Sequence, residues 1–283
     1  MNVCRSLESL AGALSEAGRK KIGFVPTMGF LHAGHLSLVK KCRQENDLTV
    51  VSIYVNPAQF GQDEDLDRYP RDPERDIALL EKEKTDLLFM PDSREIYPPG
   101  HATYIGVEGL ETVLCGRSRP GHFRGVATVV LKLFNLVGPQ RAYFGQKDAQ
   151  QALVIRRMVS DLHLPVQVRV LPIVRDSDGL ALSSRNAYLA PAERLAARHL
   201  PRALAVAGAM IDGGIVDAAK LKKNMADELA KDRLIQVDYI AIVRLQDLAD
   251  VASIEPGNTL IAAAVRVGKT RLIDNLLLGD LSC

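Results

Sequence analysis

The sequence has few cysteines, and their positions narrow the class of protein. The four are Cys4, Cys42, Cys115 and Cys283. No two of them form a CxxC pair, and their scatter argues against both a zinc or redox motif and a close disulfide framework. We therefore expect a protein of the reducing cytoplasm.

Long apolar runs and an excess of charge are also missing. No stretch approaches about 18 uninterrupted apolar residues, and Glu8 interrupts the beginning of the chain before an apolar signal region can form. We expect neither a secretion signal nor a membrane anchor. Lys and Arg together number 36 against 34 Asp and Glu, a net charge of +2. This balance gives no support to a nucleic-acid partner, which a clustered basic excess would attract.

What is present is typical of a soluble globular protein, with 47% hydrophobic and 25% charged residues. Short apolar runs alternate with helical stretches, which is the pattern of a parallel sheet covered on both faces. The sequence thus predicts an α/β fold with a Rossmann-like parallel sheet and helices on both faces. Strands are predicted at 22–25, 48–55, 86–90, 142–144 and 166–174, and helices at 36–42, 72–84, 124–137 and 148–161.

The composition changes after residue 174, and 283 residues is a usual length for two domains. Ala-rich helical sequence is predicted at 191–211 and 217–231, and strands that need not be parallel at 235–242 and 259–267. We therefore predict a Rossmann-like domain over 1–174 and a smaller C-terminal α+β lid domain over 175–283.

The loop 26–35 joins the first predicted strand to its helix and is the first candidate site. Gly29 and Gly34 would let the backbone approach an anion, and His32 and His35 can point the same way from a helix start that attracts phosphate. A plain strand–loop–helix turn with incidental histidines is the alternative. Zinc is disfavoured because the loop has no HExxH motif. A P-loop is excluded because His35 and Leu36 stand where Lys and Ser or Thr are required.

Three other polar loops follow predicted strands or the domain boundary. Lys147 and Asp148 begin a helix and suit phosphate binding, although a capped helix with a solvated lysine is equally simple. Residues 182–186 offer two hydroxyls and a guanidinium, or form a polar linker. Asn56 and Gln59 offer neutral amides to the hydroxyls and carboxylate of a small substrate, or form a turn. If the sheet prediction holds, these loops describe a nucleotide site beside a small polar pocket.

The loop 28–35 also resembles the HxGH signature of the nucleotidyltransferase superfamily that includes class I aminoacyl-tRNA synthetases. The resemblance tightens to the pantothenate synthetases, the pantoate–β-alanine ligases, across blocks that span nearly the whole chain. Those blocks are 28–35 (MGFLHAGH), 56–60 (NPAQF), 69–71 (YPR), 121–126 (GHFRGV), 144–151 (FGQKDAQQ), 182–186 (LSSRN) and 268–275 (GKTRLIDN).

This resemblance implies an ATP-dependent, AMP-forming ligase that condenses pantoate with β-alanine through a pantoyl adenylate. It implies that Gln59 and Gln151 bind pantoate, that Gln59 also lies near β-alanine, and that His35 is a proton donor. The implied ATP site comprises Met28, Gly29, Phe30, Leu31, His32, Ala33, Gly34, His35, Gly145, Gln146, Lys147, Asp148, Val174, Leu182, Ser183, Ser184 and Arg185. Leu182 and Gln146 differ from the Met and Glu of some members, so side-chain roles are not carried over to these two residues.

The implied reaction builds charge on phosphate oxygens, which fixed donors and Mg²⁺ can stabilise. The candidate donors are His32, His35, Lys147, Ser183, Ser184 and Arg185. Asp76 is a candidate magnesium ligand or part of a solvated helix face. The expected partners are pantoate, β-alanine and ATP, with ATP as a substrate, and a second copy of the chain in a homodimer.

Two other functions stay open from the sequence. A different HxGH nucleotidyltransferase would make a dinucleotide or nucleotide-diphosphate product, against which the Gln59 and Gln151 pair argues. A catalytically silent nucleotide-binding regulator would not need His35, Lys147 and Arg185 intact.

Overall fold

The computed structural model describes residues 1–62, 64–279 and 281 of the chain. The strands are β1 (Asn2–Cys4), β2 (Ile22–Thr27), β3 (Leu48–Ile53), β4 (Leu87–Phe89), β5 (Arg141–Gly145), β6 (Gln167–Leu171), β7 (Ile235–Arg244), β8 (Asn258–Val267) and β9 (Thr270–Gly279). The helices are α1 (Leu7–Ala17), α2 (Ala33–Glu45), α3 (Pro73–Lys82), α4 (Ser93–Ile96), α5 (Cys115–Ser118), α6 (His122–Val137), α7 (Ala149–Asp161), α8 (Pro191–Ala197), α9 (His199–Asp212) and α10 (Ala218–Leu229). Short 3₁₀ turns lie at Pro57–Gln59, Gln146–Asp148 and Ser184–Tyr188.

The first six strands form one parallel sheet in the order β1-β4-β3-β2-β5-β6. The chain runs outward from β2 through β3 to β4 and then returns to the other side of β2 for β5. The direction of winding therefore reverses between β2 and β5. In open α/β sheets this reversal leaves a crevice at the carboxyl ends of the strands, where ligands bind.

Both faces of this sheet are buried, as the apolar strands predicted. Phe24, Val50 and Phe89 belong to one apolar cluster, which includes residues of α6 and α7. Val25 and Val51, their neighbours along the strands, belong to another cluster, which contains residues of α2 and α3. Adjacent strand residues point to opposite faces, so both sides of the sheet carry helices. The predicted α/β fold is confirmed.

A separate antiparallel sheet, β7-β8-β9, follows in the C-terminal part. Ile261 and Val265 of β8 belong to a buried cluster with residues of α9 and α10. Leu260 and Ala262 of the same strand instead share a cluster with Phe123 of α6. The C-terminal sheet is thus buried on both faces, and one of them packs on the parallel-sheet part.

Several elements differ from the sequence-based expectation. The sequence pattern does not predict β1, α1, α4, α5 or β9. The helical stretch predicted at 191–211 divides at Arg198 into α8 and α9. Pro201 explains the division, because a proline cannot donate to the preceding turn but is tolerated in the first turn of a new helix. Within the described residues no helix is long and apolar enough to cross a membrane.

Candidate active site

The HxGH loop follows β2 and leads into α2, directly at the reversal point of the sheet. His32 is the N-cap of α2, and its Nδ1 accepts a hydrogen bond from Gly34 N at 3.1 Å. His35 Nδ1 accepts in turn from His32 N at 3.3 Å. The two rings lie 4.0 Å apart between centroids. Imidazoles thus cap this helix start, where serine or aspartate is usual.

These hydrogen bonds fix which nitrogen of each imidazole carries the proton. A backbone N–H can only donate, so Nδ1 of both His32 and His35 must be unprotonated, and the neutral ring then carries its proton on Nε2. Burial is the main cause that lowers the pKa of His32 to about 3, followed by the charge of His35. Burial and then Lys147 lower the pKa of His35 to about 4. At neutral pH both rings are uncharged donors through Nε2.

The backbone before these histidines is held in an uncommon conformation. Gly29 and Phe30 both have positive φ, 83° and 49°, and the second is costly for a residue with a side chain. The Asp76 carboxylate accepts hydrogen bonds from Phe30 N and Leu31 N, each at 2.7 Å. Asp76 is 1% exposed. Burial raises the pKa of its carboxyl group, and the two backbone donors act in the opposite direction. Asp76, which lies on helix α3, therefore holds the loop 28–35 in place. This loop is the candidate phosphate-binding loop.

A small polar pocket of about 220 Å³ lies beside this loop. Gln59 and Gln151 line it together with Asn56. Asn56 is 1% exposed, and its Nδ2 donates to Gln59 Oε1 and to Gly125 O, both at 3.1 Å. A Cβ on Gly125 would lie 2.2 Å from Ala58 O, so α6 packs directly on the turn that carries Gln59. Asn56 therefore orients the side-chain amide of Gln59, and helix α6 supports the turn that carries it.

A second set of contacts, which the sequence reasoning did not assign, holds the backbone of Gln59. His122 Nδ1 donates to Gln59 O at 2.8 Å, and its Nε2 then accepts from Arg119 at 2.9 Å. Arg119 also makes bonds of 2.7 and 2.6 Å to the Glu64 carboxylate. Burial first, and Arg119 second, lower the pKa of His122 to about 4. The motif 121–126 was recognised in the sequence, but only the fold brings His122 into contact with the backbone of Gln59, on the wall of the same pocket.

The cationic and hydroxyl candidates meet at the other side of the pocket. Lys147 lies in the 3₁₀ turn after β5, with its Nζ 3.6 Å from the Asp148 carboxylate. Ser184 Oγ donates to Phe30 O at 3.3 Å, which ties the 182–186 segment to the HxGH loop. Arg185 makes two bonds to the Asp65 carboxylate, at 2.9 and 2.8 Å.

An open cleft of about 680 Å³ continues from there between the two sheets. Lys147, Ser183 and Arg185 line both the cleft and the small pocket. Arg266 of β8 and Lys269 of the turn between β8 and β9 line the cleft as well. A long polyanion in the cleft would therefore end beside the small pocket.

Comparison with known proteins decides the family. A family model described as pantoate-beta-alanine ligase matches residues 2–277. The chain belongs to the pantoate-beta-alanine ligase family. A pantothenate synthetase of Acetivibrio thermocellus is 54% identical over 90% of this chain and 91% of its own length. One of Thermotoga petrophila is 52% identical over 99% and 100%.

Solved structures agree with the sequence relatives. The pantothenate synthetase of Thermus thermophilus has a TM-score of 0.95 and 48% identity, covering 99% of this chain and 100% of that one. The pantoate-beta-alanine ligase of Francisella tularensis, complexed with beta-gamma ATP and beta-alanine, has a TM-score of 0.81 and 34% identity over the full length of both chains. The predicted resemblance is confirmed, and the chain is an enzyme that makes pantothenate from pantoate and β-alanine.

Most residues predicted for the ligase site line its cavities, and the remainder support them. The predicted residues that line the small pocket are Met28, His32, Gly34, His35, Asn56, Gln59, Gly145, Lys147, Asp148, Gln151, Val174, Leu182, Ser183, Ser184 and Arg185. Gly29, Phe30, Leu31, Ala33, Gln146 and Asp76 do not line it. Leu31 is fully buried, and Gln146 Nε2 donates to Asn275 Oδ1 of β9 at 3.2 Å. The bonds of Phe30 and Leu31 to Asp76 and of Gln146 to Asn275 hold the loops next to the pocket.

Proposed function

We propose that the ligase works through two half-reactions in the joined pocket and cleft. The pantoate carboxylate attacks the α-phosphorus of ATP and pyrophosphate leaves, which gives a pantoyl adenylate. The β-alanine amine then attacks the mixed anhydride, an amide forms and AMP leaves. The observation that carries this proposal is that a pocket containing the amides of Asn56, Gln59 and Gln151 shares Lys147 and Ser183 with a larger cleft, whose lining has seven Lys and Arg side chains against five Asp and Glu.

The phosphate groups are proposed to lie at the HxGH loop and Lys147. His32 and His35 donate through Nε2, and because both rings are neutral they do not repel the Lys147 ammonium. Negative charge grows on the bridging oxygen as pyrophosphate leaves, so donors fixed in place beforehand stabilise the transition state more than the ground state. Phosphate oxygens close to His35 would raise its pKa, and the proposed proton donation by His35 requires this protonated ring, whose Nδ1 then gives up the hydrogen bond from His32 N.

Pantoate is proposed to bind between Gln59 and Gln151. Asn56 Nδ2 donates to the side-chain Oε1 of Gln59 at 3.1 Å and orients that amide. His122 Nδ1 donates to the backbone carbonyl of Gln59 at 2.8 Å and holds the main chain. A carboxylate held in this pocket needs little reorientation before it attacks, which reduces the entropic part of the barrier. Gln59 is also proposed to lie beside β-alanine in the second half-reaction.

Residues 175–283 are proposed to act as the lid over residues 1–174. The segment 182–186 connects the C-terminal part to the HxGH loop. Its residues Ser183, Ser184 and Arg185 are the proposed phosphate-binding groups of the lid. Covering the cleft would shield the mixed anhydride from water until the amine arrives. Arg185 is held by Asp65 in a two-bond ion pair, which presets the position of the guanidinium.

Mg²⁺ is proposed to enter with ATP, bound chiefly by the phosphates and water. Three or more His, Cys, Asp or Glu side chains in metal-binding geometry do not occur among the described residues. Both oxygens of Asp76 already accept backbone hydrogen bonds, so this carboxylate fits a loop anchor better than a magnesium ligand. The side chain of Asp148 is 48% exposed and can accept a metal-bound water. Such sparse protein ligation is usual for Mg²⁺ at nucleotide phosphates, where it neutralises charge.

The enzyme is further proposed to be a cytoplasmic homodimer. Cys4, Cys42 and Cys115 are buried free thiols, which suits a reducing compartment. The dimer rests on the family resemblance, and light scattering on the purified protein tests it.

Product analysis tests the proposed reaction. Incubation with ATP, pantoate and β-alanine is expected to release AMP and pyrophosphate in equal amounts with one amide bond formed for each. A product that retains the adenylyl group would instead indicate another kind of HxGH nucleotidyltransferase.

A further inference from the structure

Two buried polar residues of β9, Asp274 and Asn275, have no place in the reaction as described so far. They end the sequence block 268–275, and they are 2% and 4% exposed. Polar side chains this deep in a sheet are costly unless each polar atom finds a partner. Their partners lie in the turn that carries Lys147 and in the loop that leads to the 182–186 segment.

Asn275 is bonded to the turn that carries Lys147. Its Nδ2 donates to Gln146 O at 3.0 Å and to Lys147 O at 3.1 Å. Its Oδ1 accepts from Gln146 Nε2 at 3.2 Å. The turn Gln146–Asp148 has no side-chain cap of its own. Asn275 therefore satisfies two successive carbonyls and fixes the backbone from which Lys147 extends.

Asp274 is bonded to the loop that leads to the other phosphate-binding candidates. Its carboxylate accepts from Arg175 at 2.6 and 3.1 Å, and its Oδ1 also accepts from Asn275 N at 2.8 Å. Arg175 in turn donates to Gly179 O at 3.1 Å and forms a bridge with Ala181. This bridge immediately precedes Leu182, so Asp274 fixes the base of the 182–186 segment.

We propose that Asp274 and Asn275 are positioning residues, which set the distance between Lys147 and the 182–186 segment across the cleft. One short piece of β9 holds the base of each segment, although the two are more than thirty positions apart in the chain. Neither side chain needs to touch a substrate. The C-terminal sheet thereby contributes to adenylation as a rigid spacer, in addition to covering the site. This inference rests on the proposed phosphate role of Lys147.

A double-mutant cycle between Asn275 and Lys147 tests the proposal. Asn275→Ala is expected to lower the single-turnover rate of adenylation about 10- to 100-fold, since a displacement on the order of 1 Å has effects of that size. Nucleotide affinity is expected to fall less than about 3-fold, because binding draws on many other contacts. In a Lys147→Ala background the same change is expected to have little further effect. Asn224→Ala is the matched control, since Asn224 donates to a backbone carbonyl at 2.9 Å on distant helix α10.

The outcomes separate the inference from the proposed function. If Asn275→Ala lowers the rate by the same factor with and without Lys147, or leaves it normal, the positioning role is wrong. If Lys147→Ala itself turns over normally, the phosphate role of Lys147 is wrong. Should Asn275→Ala fail to fold, Asn275→Asp keeps the size and replaces both donors by an acceptor. It is expected to show the same loss and the same dependence on Lys147, and normal turnover by this variant would overturn the proposal.

Discussion

Replacing Asp76 separates its role as a loop anchor from a role as a magnesium ligand. Its carboxylate accepts two backbone hydrogen bonds of 2.7 Å at 1% exposure. Hydrogen bonds to a buried charged group contribute about 1.5–3 kcal/mol each, so Asp76→Ala is expected to cost about 3–6 kcal/mol in free energy of unfolding. Positive φ at Phe30 and Gly29 would then be unsupported, and the HxGH loop would lose its fixed shape.

Asp76→Asn gives the sharper comparison because it keeps the size of the side chain. Its oxygen can still accept from one backbone N–H, but its NH₂ group would face the other, donor against donor. About half of the stabilisation is expected to go, on the order of 2–3 kcal/mol. Asp72→Ala is the control on the same helix, since Asp72 caps α3 by a single bond of 3.1 Å to Arg75 N. Losing that cap is expected to cost about 1 kcal/mol and to leave adenylation nearly unchanged.

Urea unfolding and pyrophosphate exchange measured over a range of Mg²⁺ concentrations check both expectations. An anchor predicts that Asp76→Asn is destabilised and slow at every Mg²⁺ concentration. A variant of normal stability whose exchange is restored by excess Mg²⁺ would refute the anchor and favour the metal ligand.

Three further predictions concern the same site. Lys147→Ala is expected to lower turnover by about 10²-fold or more with the fold intact, and normal turnover would mean that this lysine is only solvated. Arg185→Ala is expected to slow single-turnover adenylation far more than it weakens nucleotide binding, and equal losses would contradict the proposed lid. Buried His122 is uncharged at neutral pH, because its pKa is about 4 instead of the ordinary 6.5. Its contribution to the free energy of unfolding is therefore complete above pH 6.5 and is lost as the pH falls toward 4. His122→Gln is therefore expected to flatten the pH dependence of the unfolding free energy by about 1.4 kcal/mol per pH unit across that range, and an unchanged slope would show that His122 titrates normally.

The parallel sheet could be predicted because its signals are local. Runs such as 48–55 are β-branched and apolar, and Asp72 followed by Pro73 is a helix start whatever surrounds it. The site could be placed for the same reason, since polar loops after parallel strands meet at one edge. The predicted strands also show that Gly29 and His35 belong to the loop after the first of them and that Lys147 belongs to the loop after the strand at 142–144.

What could not be predicted depends on contacts between distant parts of the chain. Strand β1 is three residues long and forms only by pairing with β4. The backbone groups that bond to the side chains of Asp76 and Asn275 lie 45 or more positions away along the chain. From the sequence, Asp76 is a candidate magnesium ligand or part of a solvated helix face, and Asn275 has no role of its own. Only the fold shows which backbone groups these two side chains satisfy.

The central claim is that an adenylate forms before the amine reacts, and pyrophosphate exchange tests it most directly. The wild-type enzyme is incubated with ATP, Mg²⁺, labelled pyrophosphate and pantoate, with β-alanine left out. The account predicts that label enters ATP when pantoate is present and β-alanine is absent. It also predicts that this exchange is lost in Lys147→Ala. Exchange that requires β-alanine would contradict it, since the two bonds would then form in one concerted step.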